Sequence, residues 1–373
     1  MTRVRAIVAG GDVAALETMF ALRALAGDRV DVTLIAADRD FEYRPVEVHD
    51  PLAARGRVRV PLARLAGVAA AELHYDRVVA VDAAARRVHT AAGHELPYDA
   101  LVVAERALTH AVPVGAHPLD DGHASACSAA IGDLLAGRAA SLAFVEPAAP
   151  THPFELFDLA IDTAVRLRTA RVDATLTLVT ADAAPLAILG RRVAGALRET
   201  LGAHGVHVVT AAHVRAVAAG RLALTALADG VEAERVIAVP RLAGPRIEGL
   251  ACDRDGFLAA DVHGRVPHAG GVFAAGDCTS FPVKHRSIAA QQARVAATAI
   301  AAGAGTPVTP QPFAPVLRCI LPSRLRWYVD APLTGGQGDA TRMSAHPLWS
   351  RHLRFDAPYL APQLEPIAAA LAS

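Results

Sequence analysis

The chain has 373 residues, of which 53% are hydrophobic and 20% are charged, and its 37 basic residues balance its 37 acidic ones. This length exceeds one ordinary domain, so two or three domains are expected. Balanced charge gives no basic face for nucleic acid and no acidic tail. The first residues lack the cleavage site of a signal peptide, and no apolar run reaches the roughly 18 residues of a membrane helix. We therefore expect a soluble, cytoplasmic protein.

The first elements in chain order form a βαβ unit. A strand is predicted over 3–9, a helix over 14–26 and a second strand over 30–36, which implies parallel strands. From residue 73 the pattern changes to short strands at 78–81, 87–90 and 101–104, separated by turns. This pattern predicts a meander.

A second section repeats the same order, which indicates two α/β units that each carry a meander. Its predicted elements are a strand at 141–145, a helix at 154–168, a strand at 174–179, a helix at 191–204, a strand at 206–209, a meander at 221–238 and a buried strand at 271–275. After about residue 305 the sequence is rich in proline, and it ends in a weakly patterned tail. The fold class is therefore α/β.

The turn after the first strand resembles a dinucleotide-binding fingerprint, G-x-G-x-x-G. If Ala9 takes the place of the first glycine, Gly11 is the second and Ala14 is a permitted substitute for the third. The helix that follows can offer its N–H groups to a phosphate. The place of the ribose-binding acid is Ala36, with Asp38 two residues on. Many α/β turns carry glycines without a nucleotide, so both interpretations stay open.

The corresponding turn of the second section, at 146–153, has no glycine and contains three prolines. Proline lacks the N–H donor that a phosphate requires. Any nucleotide site in this section is predicted to be lost.

The segment GVFAAGDCTSFPVKHRS carries a Gly-Asp pair at the end of a strand and a helix after Ser287. Asp277 could accept a hydrogen bond from a polyol chain, and the helix dipole with Lys284 would favour a ring that gains negative charge on reduction. The alternative is an ordinary Gly-Asp turn. Together with the first turn, the segment favours a flavin.

The four cysteines are widely separated and form no C-x-x-C, which disfavours a metal cluster or a local dithiol. Histidine spacings match no metal motif either, so no metal is expected. Buried thiols are the simplest interpretation of Cys127, Cys252, Cys278 and Cys319.

Several motifs occur in one consistent order: IVAGGDVAALETMFALRALAGDRVDVTLI, DFEYRP, YDALVVA, PRLAGPRIEGL, GVFAAGDCTSFPVKH and AAQQA. Together they resemble the FAD-dependent pyridine nucleotide–disulfide oxidoreductase superfamily, in the branch of sulfide:quinone reductases and type II NADH dehydrogenases. The resemblance implies two Rossmann-like domains, of which the first is discontinuous and binds FAD, and a C-terminal extension that caps the flavin or forms an interface. The implied domain ranges are 1–110 with 245–315, 111–244, and 316–373.

The resemblance also implies the roles of individual residues. Residues implied to bind the cofactor are Gly10, Gly11, Ala14, Asp38, Arg44, Arg106, Gly276, Asp277 and Ser287. Residues implied to lie near the reacting groups are Lys284, His285, Gln291 and Cys319. Gln291 and Gln292 fall where quinone-reducing relatives place polar residues near the acceptor, although a pair on the helix surface is an equal alternative.

Four departures surround the same site. Ala9 and Ala36 replace motif residues, Arg106 stands where relatives have glycine, and 285–287 replaces a loop of small residues. Arg106 could pair with phosphate or block the cofactor. Sulfide, dithiol and NADH chemistry each lack a required feature, so the donor stays unidentified.

Two functions remain. The leading one is an FAD-dependent oxidoreductase that passes electrons to a quinone or another small acceptor. The alternative is a degenerate homologue that binds a partner without redox activity. The C-terminal region could provide peripheral membrane contact, and a homodimer is compatible with the sequence.

Overall fold

The computed structural model describes residues 3–43, 52, 57–110, 112–148, 153–218, 220–225, 229–321, 327–333, 340–349 and 353–372. Its strands are β1 (Val4–Ala9), β2 (Val30–Ile35), β3 (Asp40–Tyr43), β4 (Val58–Pro61), β5 (Glu72–His74), β6 (Val78–Asp82), β7 (Arg87–Thr90), β8 (Glu95–Pro97), β9 (Ala100–Val103), β10 (Leu108–Thr109), β11 (His117–Pro118), β12 (Ser141–Glu146), β13 (Thr175–Thr180), β14 (Val206–Val209), β15 (Val214–Ala218), β16 (Arg221–Leu224), β17 (Val231–Glu232), β18 (Arg235–Ala238), β19 (Leu242–Ala243), β20 (Val272–Ala274), β21 (Val316–Leu321), β22 (Trp327–Pro332) and β23 (Arg342–Ser344). Its helices are α1 (Val13–Ala26), α2 (Leu62–Val68), α3 (Ala124–Leu135), α4 (Phe154–Ala170), α5 (Arg191–Ala203), α6 (Arg286–Gly303) and α7 (Ala361–Ala372).

The first domain is built on a parallel sheet of order β20-β9-β1-β2-β5. Side chains alternate between the two faces of a strand. In β1, Ala6 and Val8 accordingly pack with α1 and α6, whereas Ile7 and Ala9 pack with the meander β6-β7-β8. The sheet is thus covered on both faces, as its continuous apolar strands require.

The second domain repeats this arrangement with the parallel sheet β11-β18-β12-β13-β14. Leu142 and Phe144 of β12 pack in one core with α3, α4 and α5, and Ala143 and Val145 pack on the meander β15-β16-β17. The predicted fold class, with two Rossmann-like domains, is confirmed.

One strand of each predicted meander lies elsewhere. The segments 101–104 and 235–238 were expected to continue the meanders, but β9 and β18 belong to the two parallel sheets. All four residues of β9 are buried, because both faces of this strand are covered. The third strands are instead the short segments β8 and β17.

The first domain is discontinuous, as predicted, because β20 pairs with β9. The two crossings between the domains run side by side as the antiparallel pair β10 and β19. The domain ranges 1–110, 111–244, 245–315 and 316–373 stay a prediction.

The C-terminal region is more ordered than its weak pattern indicated. Strands β21, β22 and β23 form an antiparallel sheet whose Leu317 and Val329 pack in the core of the second domain. Leu360 and Leu364 pack in the core of the first domain. Among the described helices, none has the length and apolar character needed to cross a membrane.

Candidate functional site

The candidate site lies at the carboxyl edge of the first sheet. Parallel strands end at one edge, and open α/β sheets bind ligands in the crevice outside it. The strands β1, β2, β9 and β20 bring the segments 10–12, 36–38, 104–106 and 275–277 to this edge. Helices α1 and α6 begin beside it.

Gly10 makes the tight turn after β1. Its φ is +132°, and a Cβ there would lie 2.2 Å from the carbonyl oxygen of Ala104. Gly10 therefore has the role of the first fingerprint glycine, which was expected at Ala9, the last residue of the strand. Counted from Gly10, the position of the second fingerprint glycine is taken by Asp12 and that of the third by Ala15. The predicted register was one residue too early.

Asp12 occupies the place where a pyrophosphate would approach α1. It is the N-cap of the helix, and its carboxylate accepts a hydrogen bond from the backbone N–H of Val13 at 2.7 Å. A second glycine is needed there so that the backbone can approach phosphate. The chain therefore supplies its own anion to the helix N-terminus.

The guanidinium of Arg286 fills the space next to this carboxylate. Its Nε lies 4.0 Å from Asp12 Oδ1, and another of its N–H groups donates to the carbonyl of Glu42 at 3.2 Å. The group also lies 5.9 Å from the ring centre of Phe41 and 5.7 Å from that of Phe355. Arg286 was expected in a loop, but it is the first residue of α6.

His285 caps α6. Its Nδ1 accepts from the backbone N–H of Ser287 at 3.1 Å and lies 2.9 Å from the Ser287 hydroxyl. The fully buried Ser287 in turn accepts from the backbone N–H of Arg318 at 3.1 Å. The N-terminus of α6, whose dipole would stabilise a reduced flavin, is therefore capped by an imidazole of the same chain.

Asp38 and Arg106, both predicted to contact the cofactor, form an ion pair with each other. Glu105 lies beside them, and burial raises its pKa to about 7, although Arg77 and Arg106 oppose this shift. Arg106, at the position where glycine was expected, therefore pairs with a carboxylate of the same chain.

Gly276 has a role in packing. Its φ is +81°, and a Cβ there would lie 2.8 Å from the Cβ of Ala14. The close packing of this segment on α1 therefore explains the glycine at 276, and no flavin is needed to explain it. Asp277 follows at the end of β20 and is half-buried.

Lys284 is buried beneath this strand end. Its Nζ donates to the carbonyl of Asp277 at 3.1 Å and to that of Thr279, and it lies 4.1 Å from the ring centre of Phe257. Burial lowers its pKa to about 8. The ammonium group therefore supports the Gly-Asp turn from below.

The two glutamines of α6 are buried, so they are not a surface pair. Gln291 donates to the carbonyl of Val316 at 2.7 Å and accepts from the N–H of the same residue at 2.9 Å. Gln292 accepts from the N–H of Gly276 at 2.8 Å. Both side chains join backbone segments.

The thiol of Cys319 is buried on β21, and burial raises its pKa well above the ordinary value, which disfavours the reactive thiolate. Cys127 and Cys278 are also buried, as predicted, but Cys252 is exposed. Arg44 lies outside the described residues. Among those residues no cluster of His, Cys, Asp and Glu could hold a metal ion.

The residues at this edge do not fit the pyrophosphate of FAD. A carboxylate stands at the second-glycine place, and the neighbouring cation already interacts with it. The predicted edge residues are brought together, but they contact one another and the backbone. Asp12, which decides this outcome, was missed because the fingerprint was set one residue too early.

The family model described as "Pyridine nucleotide-disulphide oxidoreductase" matches residues 158–303. The fold is similar to that of the sulfide:quinone oxidoreductase from the hyperthermophilic bacterium Aquifex aeolicus, with a TM-score of 0.78, 18% identity, and coverage of 92% of this chain and 87% of that one. It is also similar to putidaredoxin reductase in a covalent complex with putidaredoxin, with a TM-score of 0.66, 16% identity, and coverage of 99% and 94%. A ferredoxin reductase for the CYP199A2 system from Rhodopseudomonas palustris gives a TM-score of 0.63, 16% identity, and coverage of 91% and 81%. No curated protein matches the chain by sequence.

Proposed function

We propose that this chain, which belongs to the pyridine nucleotide–disulphide oxidoreductase superfamily, is a binding protein that no longer holds FAD. The superfamily consists of oxidoreductases that typically carry a flavin, so the proposal concerns this chain and not its family. Asp12 carries the argument, because its carboxylate caps α1 at the place of the second fingerprint glycine.

Charge makes the Asp12 carboxylate and a pyrophosphate mutually exclusive. Two unit charges of the same sign at 4 Å repel by about 4 kcal/mol at an effective dielectric constant of about 20. Arg286 offsets the charge of Asp12 and is therefore not available to a phosphate without leaving that carboxylate. His285 adds a second obstacle at the N-terminus of α6.

A role in binding is consistent with the rest of the fold. The described apolar residues of both domains form buried cores, and the C-terminal region packs on each of them. One structural neighbour is a reductase seen in complex with its protein partner. A chain of this fold can thus present a surface to a protein partner.

The second candidate is the FAD-dependent oxidoreductase with a quinone or another small acceptor. The half-buried Asp277 at the end of β20 favours it, because a carboxylate there could hold a ribityl chain. This candidate requires Asp12 and Arg286 to move apart when FAD binds.

Titration of the purified protein with FAD distinguishes the candidates. We expect a colourless protein with no saturable binding at micromolar FAD, measured by flavin fluorescence anisotropy. The double variant Asp12→Gly, Arg286→Gly removes both the competing anion and its counterion, and we expect it to bind FAD at least tenfold more tightly.

The variant Asp28→Gly is the matched control, since Asp28 is exposed and lies at the far end of α1. It should leave the weak affinity for FAD unchanged. A wild-type protein that binds FAD stoichiometrically and whose flavin is reduced and reoxidised by a quinone would establish the enzyme instead.

A further inference from the structure

The second sheet has its own carboxyl edge, and the residue at its centre is Glu146. This residue ends β12, which lies between β18 and β13. From β12 the chain proceeds outward to β13 and β14, whereas β11 and β18 lie on the other side. The end of β12 is thus the point where the order of the strands reverses, and open α/β sheets bind ligands at such a point.

Glu146 is buried there without a complete set of partners. Its side chain is on the same face as Leu142 and Phe144, which pack against α4. The residue is 6% exposed. Its Oε2 is buried and has no hydrogen-bond partner among the described residues. A buried carboxylate oxygen without a donor is destabilising, and a bound ligand that donates to it is one explanation of such a group.

The groups around Glu146 are hydroxyl and acidic. Thr180 is its register partner on β13, and the Thr180 hydroxyl lowers the Glu146 pKa. Burial and the charge of Asp182 outweigh this effect and raise that pKa to about 7. Asp182 is exposed, and its backbone N–H donates to the Thr180 hydroxyl at 3.1 Å. Partial desolvation raises the pKa of its carboxyl group. Two acidic side chains therefore lie near each other at this edge.

The chemistry of these groups selects the class of ligand. A phosphate would meet two acidic side chains and the segment 146–153, in which three residues are prolines without an N–H donor. A multivalent metal ion would need more ligands, and no group of three or more suitable side chains occurs among the described residues. An organic cation offers both the positive charge and the N–H donors that Glu146 Oε2 lacks.

We propose that Glu146 and Asp182 bind an ammonium or guanidinium group at the carboxyl edge of the second sheet. The Glu146 carboxylate is the central acceptor, and Asp182 supplies the second negative charge. The ligand is a free amine or the side chain of a lysine or arginine in another protein. This site is independent of the loss of FAD, because it lies in the other domain.

Binding is measured by calorimetry with two probes, agmatine as the free cation and Nα-acetyl-lysine amide as the side-chain form. We expect saturable binding of at least one probe, and a weaker response to Nα,Nε-diacetyl-lysine amide, whose side chain carries no charge. Binding of agmatine alone identifies a guanidinium group, free or on an arginine, and binding of the lysine derivative alone identifies the side chain of a lysine. Both results support the proposal, and binding of neither probe at millimolar concentration overturns it.

Substitutions separate a ligand site from a structural one. Glu146→Met removes a carboxyl group without a complete set of partners, so we expect a Tm at least about 2 °C higher without probe. The same variant should lose at least tenfold in affinity, and Asp182→Asn about threefold. Glu146→Gln, which keeps the size of the side chain, should also lose tenfold.

Glu199→Gln is the control, because Glu199 is exposed on α5. It should change neither the affinity nor the Tm. If Glu146→Met lowers the Tm, the carboxyl group serves the fold. If affinity is unchanged in both variants of Glu146, the probes bind elsewhere. Either result would contradict the assignment.

Discussion

At the carboxyl edge of the first sheet the charged and capping side chains interact with one another, whereas at the same edge of the second sheet a buried carboxylate oxygen has no partner among the described residues. Asp12 caps α1, Arg286 lies beside it and His285 caps α6. Glu146 ends β12, and its Oε2 has no hydrogen-bond partner in the part of the chain that the structure describes. The two edges have the same topology, so the difference lies in a few side chains.

The two domains share a fold, but their candidate sites differ. In the first domain, the motif that remains is explained by packing, since Gly10 and Gly276 are each required by close backbone or side-chain approach. In the second domain, three prolines lie in the segment 146–153, where a phosphate-binding turn would be expected. The carboxyl group of Glu146 lies at the point where the order of the strands reverses. The first edge is thus the candidate for a lost site and the second for a gained one.

The largest expected effect comes from Gly10→Ala, which disrupts the turn after β1 at the carboxyl edge of the first sheet. The new Cβ would lie 2.2 Å from the carbonyl oxygen of Ala104, and the φ of +132° is strained for any L residue. We expect a loss of about 3 kcal/mol or more in the free energy of unfolding, measured with urea.

Gly67→Ala is the control for this change. A Cβ at Gly67 has nothing within 4 Å, and the residue lies in α2. Alanine should therefore be neutral or stabilise by up to about 1 kcal/mol. Equal effects of the two substitutions would show that the turn after β1 does not depend on glycine.

The layers of both domains could be predicted from the sequence because their helices and strands have distinct periods. The strand at 206–209 and the helix at 191–203 were placed within one residue. The strands β9 and β18 were assigned to meanders because each follows a short hairpin in the chain. Their apolar runs of three or four residues are typical of a strand covered on both faces, and that signal identifies a parallel strand.

A medium effect is expected for Gln291→Leu, which detaches the C-terminal sheet from the helix that carries Arg286. The amide of Gln291 bonds both backbone groups of Val316. Leucine would leave this N–H and C=O without those partners, so we expect a loss of about 2–3 kcal/mol. Hydrogen exchange should accelerate first in 316–321.

Gln311→Leu is the matched control, since Gln311 is exposed before β21. It should change the free energy of unfolding by less than about 0.5 kcal/mol. Unaltered exchange in 316–321 of the Gln291 variant would mean that the sheet is held by its apolar contacts alone.

The location of the first site could also be predicted, but its state could not. The segments 10–12, 104–106 and 275–277 lie at one edge, as the resemblance implied. The partners of Arg106 and Arg286 come from distant segments, at Asp38 and Asp12. Such pairs depend on tertiary distances, and no local pattern contains them. The sequence marks Glu146 only as the start of a proline-rich turn, because the burial of a single glutamate depends on the tertiary fold.

The last expected effect concerns pH and tests the second edge through Glu146. Its folded-state pKa of about 7 is above the ordinary value of 4.5, mainly because of burial. Between these two values the folded protein holds a proton that the unfolded chain has released. The free energy of unfolding should therefore fall as the pH rises from about 4.5 to 7, by at most about 3 kcal/mol for this residue.

Glu146→Gln cannot titrate at this position, so the decline between pH 4.5 and 7 should be shallower in this variant. Glu17 and Glu105, with pKa values also raised to about 7, preserve part of the decline. Urea denaturation at pH 5, 6 and 7 measures the difference, with Glu199→Gln following the wild-type curve. Parallel curves for the wild type and Glu146→Gln would place the Glu146 carboxylate in contact with water, and the contrast between the two edges would then disappear.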